Sequence, residues 1–401
     1  MVNMSANSLR CIVVLLCGGC VLLVTFIRME KPSVRIDTTR LPNGSKPNIE
    51  SRAFASAHPT SKSEEQTLQQ EPQKSEAPKT ILVWTKLYGG TDWGLPQERG
   101  ILTCAQFNIT AQCRITYDKQ EYKHSDLVAF HGRGSDFSLK LFPNFTKRSP
   151  HQRWLYYNSE SPPHAGLLAN QVQGKRLNHL FNWTMTYMLN SDFPYRFFQV
   201  IPGKYPDRYN PVQTGEVAVA VISNCLPQRL NYIYELQKYT QVHIYGACGK
   251  YRCPAGEECF YMLEREKKYR FYLSFENSVC KDYATEKFHS HALQHNMLPI
   301  VINGANLSDP TIAPPGCCIN ALDFKSAKDL AQYIKKVASN STLYNSYFKW
   351  QSRYAVWHIE TRHLLFCRAC QRLYSDSEAK VYDDLYSWYG NKENCIPYPS
   401  P

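Results

Sequence analysis

The sequence predicts two α/β units in tandem, each built on a mostly parallel sheet. Three observations carry this. The chain has 401 residues, room for two or more domains. Short apolar runs rich in β-branched and aromatic residues alternate with helical or turn-rich crossovers, the pattern of strand-crossover-strand units. One run, EVAVAVISN from Glu216, is almost continuously apolar, as a strand covered on both faces must be.

In chain order, Cys11 to Ile27 is a 17-residue apolar run flanked by Arg10 and Arg28. It sits at the lower limit for a membrane-spanning helix. A cleaved signal peptide is the rival reading, but no A-x-A-like cleavage site follows. The expectation is a cytosolic tail over 1–10 and a signal-anchor helix over 11–27. The segment 28–79 is rich in Pro, Ser, Thr, Glu, Gln and Lys. Such a segment cannot bury enough surface to offset its ordering entropy, and reads as a stem.

The first α/β unit is expected over 80–213. TILVWTK, CRITYD, DLVAFHG and WLYYNSE read as four short buried strands. A helix over Pro96–Ala105 is expected between the first two. The second unit is expected over 214–345. Its strands are EVAVAVISN, QVHIYG, RFYLSFEN and LPIVING. A helix over Pro227–Tyr239 should bury Leu230, Ile233 and Tyr234, with Gln237 at the edge of that side. Ser326, with Asp329 three residues on, opens a further helix in capping-box fashion. The remainder, 346–401, is expected to be mostly helical up to Tyr374 and to cross back over the first unit.

The composition is 43% hydrophobic and 13% aromatic, with a formal charge of +12. The charge is spread along the chain, and no zinc-finger, RRM or basic-helix pattern occurs, so nucleic acid is not the expected partner. A field favouring an anionic substrate is the plainer reading. Of fifteen cysteines, twelve lie beyond the apolar segment, and so do six N-glycosylation sequons, at Asn43, Asn108, Asn144, Asn182, Asn306 and Asn340. Together they indicate the oxidising secretory pathway.

Two stretches carry chemistry. The first is FYLSFENSVCKDYATEKF, Phe271–Phe288. A strand, a polar loop and a helix opening at Thr285 and running over 286–296, with Phe288, Ala292 and Leu293 as its apolar stripe, would make an anion site, because loop amides and the helix dipole both favour phosphate. Lys287 adds positive charge, and the carboxylate of Glu286 suits the paired hydroxyls of a ribose. The predicted ligand is a nucleotide diphosphate. On spacing alone, an ordinary strand-turn-helix with a solvated Glu-Lys pair has equal weight. The second is WLYYNSESPPH, Trp154–His164. Glu160 ends a strand where two prolines prevent regular continuation, so its carboxylate suits either a general base or a cap on the next turn.

FENSVCKDYATEK resembles the donor-site signature of the α1,3-fucosyltransferases, glycosyltransferase family 10, and the resemblance runs from about Ile81 to Cys370. It implies a GT-B architecture, two Rossmann-like domains facing across a cleft. It implies GDP-fucose as donor, held by Arg229, Asn277, Ser278, Tyr283, Glu286 and Lys287. It makes Glu160 the base of an inverting transfer, although NSESPPH departs from the family's usual NFESPSH. It places the enzyme in the Golgi membrane, single-pass type II, acting on N-glycans of glycoproteins. The cysteine cluster Cys248, Cys253 and Cys259, with Cys225 and Cys280, resembles the branch that fucosylates the innermost N-acetylglucosamine. The Lewis-type branch, acting on antennary chains, stays open, as does a catalytically silent lectin-like protein. The resemblance also implies disulfides from Cys104 and Cys113 to Cys367 and Cys370, against a weaker zinc reading with His358 and His363. No D-x-D occurs. The departing diphosphate is therefore expected to be neutralised by Arg229, Lys287 and the helix mouth, with no obligatory metal and with stimulation by manganese left open.

Overall fold

The structure is a computed structural model describing residues 14–17, 20–23, 77–133, 137–203, 211, 217–267, 269–357, 361–378 and 380–401. The chain divides into two compact units, 1–73 and 74–401. In the first, Val14–Cys17 pairs antiparallel with Cys20–Leu23. These eight residues thus differ from the signal-anchor helix expected over 11–27. Gly18-Gly19 in the sequence is a two-residue hairpin signal between two apolar runs. The rest of that segment, the tail and the stem up to residue 76 lie outside the described residues. Among the described residues no helix is long and apolar enough to cross a membrane.

The second unit holds both sheets. In its first half, β1 (Lys79–Val83), β2 (Gln97–Glu98), β3 (Ile101–Leu102), β4 (Cys113–Thr116), β5 (Leu127–His131), β6 (Arg153–Asn158) and β7 (Trp183–Thr186) form one sheet in the order β2-β3-β4-β1-β5-β6-β7. The five strands from β4 to β7 are parallel, and the four expected ones are β1, β4, β5 and β6. The helix expected over 96–105 is instead the β2–β3 hairpin, added antiparallel to the β4 edge. Arg99 and Gly100 between them both have positive φ (52° and 80°), the backbone a two-residue I′-type turn demands and a helix excludes.

In the second half, β8 (Val217–Val221), β9 (Val242–Tyr245), β10 (Tyr269–Phe275), β11 (Leu298–Ile302) and β12 (Ile319–Asn320) form a wholly parallel sheet in the order β9-β8-β10-β11-β12. Every residue of β10 and β11 is buried, as continuous apolar runs in a two-sided sheet require. Helices α1 (Pro227–Gln237) and α3 (Ala327–Ala338) cover one face. The opposite face is covered by α2 (Glu258–Glu266), which the sequence reading did not anticipate. Ser326 caps α3 as expected, its hydroxyl accepting from Asp329 N at 3.2 Å. In α1 the buried side runs through Leu230, Ile233 and Leu236, whereas Tyr234 is exposed.

The segment 286–296 is not the helix expected. It is a series of wide turns, His291 N to Glu286 O and Gln294 N to His289 O, closed by a short 3₁₀ turn at Leu293–His295. Phe288, Ala292 and Leu293 still bury their side chains, but in different clusters, so no single apolar stripe is formed.

After α3 the chain crosses back. Gln199–Pro202 pairs with Tyr354–Trp357, and α4 (Thr361–Leu373) packs Leu365, Phe366 and Ala369 against Ile81, Val83 and Trp93 of the first half. Disulfides Cys104–Cys367 and Cys113–Cys370 fix it there. The final residues then return to the second half. Cys395–Ile396 pairs with Val279–Cys280, and Cys280 is bonded to Cys395. Two further disulfides, Cys225–Cys248 and Cys253–Cys259, staple the loops around β9 and α2.

Candidate active site

The carboxyl ends of β1, β5 and β6 and those of β8 and β10 open onto one cleft of about 370 Å³. Parallel sheets leave their ligand crevice at that end of the strands. Six of the seven residues singled out in the sequence line it: Glu160, Arg229, Asn277, Tyr283, Glu286 and Lys287. Ser278 does not. Its hydroxyl is buried and accepts from Ser161 Oγ at 2.9 Å, so it joins the two halves below the cleft.

Glu160 stands two residues past β6. Its N–H donates to Asn158 Oδ1 at 2.9 Å, and its carbonyl accepts from the Tyr389 hydroxyl. The side chain is 20% exposed. One carboxylate oxygen is paired with Arg133 Nη1, and the other is approached by Asn277 Nδ2 at 3.4 Å. The Asn277 bond crosses from the donor loop, so the carboxylate is fixed from both halves. His164, on the turn after Glu160, is partly buried, which pushes its imidazole below the ordinary range.

Arg229 on α1 is 3% exposed. Its Nη1 donates to Phe275 O at 3.1 Å and its Nη2 to Asn224 O, while Nε has no partner. Among the described residues no carboxylate pairs with it. Two carbonyls at the strand ends aim the guanidinium and leave its charge for whatever enters the cleft.

Lys287 differs. Its Nζ lies 3.1 Å from Glu276 Oε2, 2.9 Å from Glu286 Oε1 and 2.9 Å from Thr285 Oγ1. Burial disfavours its charge, but the two carboxylates outweigh burial and push it above the ordinary lysine range. Glu276 is fully buried, and burial pushes its carboxyl up. Its oxygens also accept from Thr285 N at 2.8 Å and Thr285 Oγ1 at 2.7 Å. Burial would raise Glu286 too, but the ammonium of Lys287 holds it at about 2. Thr285 is thus a ligand of Glu276 and caps no helix. The positive field here comes from side chains, and the helix mouth expected at Thr285 contributes nothing.

Tyr283 is buried in the cleft wall, its ring 4.7 Å from that of Tyr187, and burial pushes its hydroxyl well above the ordinary range. The sequence reading missed Glu276, Arg133 and Tyr88. Glu276 belongs to the quoted FENS, and a carboxylate directly after an aromatic-rich strand is a signal that it needs a partner. Arg133 follows a strand end just as Glu160 does. Among the described residues no group of three or more His, Cys, Asp or Glu side chains is placed to hold a metal. His363, offered above as a zinc ligand, bonds Thr103 O instead, and His358 lies outside the described residues.

Residues 76–198 match the model for the fucosyltransferase N-terminal region, and residues 212–388 match that for glycosyltransferase family 10 (fucosyltransferase) C-term. The chain is 34% identical over 333 residues to glycoprotein 3-alpha-L-fucosyltransferase A of Drosophila melanogaster, covering 79% of this chain and 61% of that protein. It is 33% identical over 318 residues to mouse (Mus musculus) 4-galactosyl-N-acetylglucosaminide 3-alpha-L-fucosyltransferase 9, covering 78% and 82%. A crystal structure of an α1,3-fucosyltransferase with GDP-fucose aligns over 78% of this chain and 95% of that one, at 17% identity and a TM-score of 0.45. With both family regions matched in order, and the quoted donor loop lying inside the second, this chain belongs to glycosyltransferase family 10, the fucosyltransferases.

Proposed function

We propose that the protein transfers L-fucose from GDP-β-L-fucose, in α1,3 linkage and with inversion, to an N-acetylglucosamine of glycoprotein N-glycans. The observation that carries the proposal is the meeting of Glu160 from one half with Arg229, Glu286 and Lys287 from the other across a single cleft. In this reading Glu160 takes the proton of the acceptor 3-hydroxyl as that oxygen attacks the anomeric carbon. General base catalysis of this kind contributes roughly 10²–10⁴-fold. The bond to the diphosphate breaks on the opposite face. Arg229, already aimed and without a carboxylate partner, neutralises the leaving diphosphate, an electrostatic role worth most where water is excluded. Glu286 accepts the ribose hydroxyls, while Lys287, still held by Glu276 and Thr285, faces the phosphates. Tyr283 and Asn277 form the wall against which the sugar lies.

The acceptor is proposed to be the innermost N-acetylglucosamine, supported by the two disulfides around β9 and α2 that the cysteine cluster forms. The proposed setting is the Golgi membrane, single-pass type II, with the enzyme in the lumen. The test is Glu160→Gln assayed with GDP-fucose on core and antennary glycan acceptors. Transfer should fall by at least about 10²-fold while GDP affinity is kept. Full turnover by the variant rejects the assignment, and transfer confined to antennary glycans replaces the core reading by the Lewis-type one. Activity unchanged by a chelator is expected, and its loss would overturn the metal-free account.

A further inference from the structure

We infer that Arg133 is a positioning residue that fixes the carboxylate of Glu160 through one oxygen and reserves the other for the proton; the inference rests on the role proposed for Glu160. Backbone bonds from Asn158 and Tyr389 fix the main chain of Glu160, but they do not set its side-chain torsions. Among the described residues, the ion pair on the carboxylate is Arg133 Nη1 to Oε1. Among the described residues, the remaining oxygen, Oε2, has the long Asn277 bond of 3.4 Å, and Glu160 lines the cleft. The two oxygens are therefore inequivalent, and Oε2 is the one that an acceptor hydroxyl can approach.

Arg133 is itself held. Its guanidinium lies over the Tyr88 ring, 5.7 Å from the centroid. Tyr88, 55% exposed at the cleft mouth with a positive φ of 48°, bonds Ser159 Oγ at 3.0 Å, next to Glu160. Gly132 makes this geometry possible: a Cβ there would collide with the ring of Tyr156. A ring-braced guanidinium loses less freedom per hydrogen bond than a lysine would. The other groups facing Glu160 are Tyr88, His164, Tyr283 and Tyr389. The tyrosines stay neutral through the working pH range, so among the described residues Arg133 is the permanent charge in contact with the base.

The experiment measures kcat and both KM values for wild type, Arg133→Gln, Arg133→Lys and Glu160→Gln in the full chain. Thermal unfolding serves as a folding control. Arg133→Gln is expected to lower kcat by about 10²-fold through misplacement of the base, with the GDP-fucose KM within twofold. Arg133→Lys, which keeps the charge, is expected to recover part of kcat. A kcat within threefold of wild type in Arg133→Gln overturns the inference, and so does a loss lying wholly in acceptor KM. If Glu160→Gln turns over normally, the parent reading falls. If Glu160→Gln is dead and Arg133→Gln is normal, only this inference falls.

Discussion

Arg229→Met offers the sharpest separation of function from stability. Arg229 is buried, gives two hydrogen bonds to carbonyls and keeps an unpartnered Nε. Burying a cation with incomplete satisfaction is costly, and well-packed apolar replacements of buried charges are often neutral or stabilising. Against that gain, Met orphans the carbonyls of Phe275 and Asn224, each worth about 1–3 kcal/mol if they stay dry. The two effects oppose each other, so the net change should stay within about 2 kcal/mol. At roughly 2–4 °C per kcal/mol or less for a unit this large, the midpoint should move by only a few degrees. Donor binding behaves differently, because removing one partner of a buried, hydrogen-bonded charge pair costs about 2–5 kcal/mol. At 1.4 kcal/mol per decade that is roughly a 30- to 4000-fold loss of GDP affinity. Isothermal titration with GDP and thermal unfolding on the same preparation read both quantities. GDP affinity within threefold of wild type would refute the proposed role. A collapse of the folded state equal to the affinity loss would refute the packing argument.

Three other outcomes follow from the same geometry. Burial holds His291 neutral, with its titration near pH 4, and burial pushes His289 down as well. Unfolding restores both to about 6.5, so the unfolded chain binds more protons between those values and stability falls as pH drops from 6.5 towards 4. Denaturant unfolding at pH 7 and pH 5.5 should show this loss, and His291→Gln should remove part of the slope; a slope unchanged by the substitution contradicts the assignment. Alkylation of the denatured, unreduced chain followed by peptide mapping should label Cys317 and Cys318 and none of the ten cysteines from Cys104 to Cys395 that form the five disulfides. Glycopeptide mass spectrometry should find glycans among the exposed Asn108, Asn144, Asn306 and Asn340 and none at Asn182. The Asn182 amide accepts from Trp154 N at 2.9 Å and donates to Lys380 O at 2.8 Å, so a glycan there would break the fold.

The alternation of units, the strand cores and the candidate donor loop were legible in the residues alone. Those signals are local: β1, β5, β6, β8 and β10 are apolar runs whose burial follows from composition. Glu160 was legible as a candidate because a charged residue just past a strand falls at the ligand-binding edge, whereas Arg229 came only from the family resemblance. Which groups become partners was settled by the folded chain. The helix expected at 286–296 was lost because Thr285 spends its N–H and hydroxyl on Glu276, a residue nine positions earlier whose buried carboxylate needs them. The helix expected at 96–105 gave way to an edge hairpin because β4 offered unpaired backbone to Ile101. Arg133 and Glu160 lie 27 residues apart in sequence and meet only because β5 and β6 are neighbours in register. Pairings of this kind are set by which strands lie side by side and by the low dielectric between them, and neither quantity is written in residue spacing.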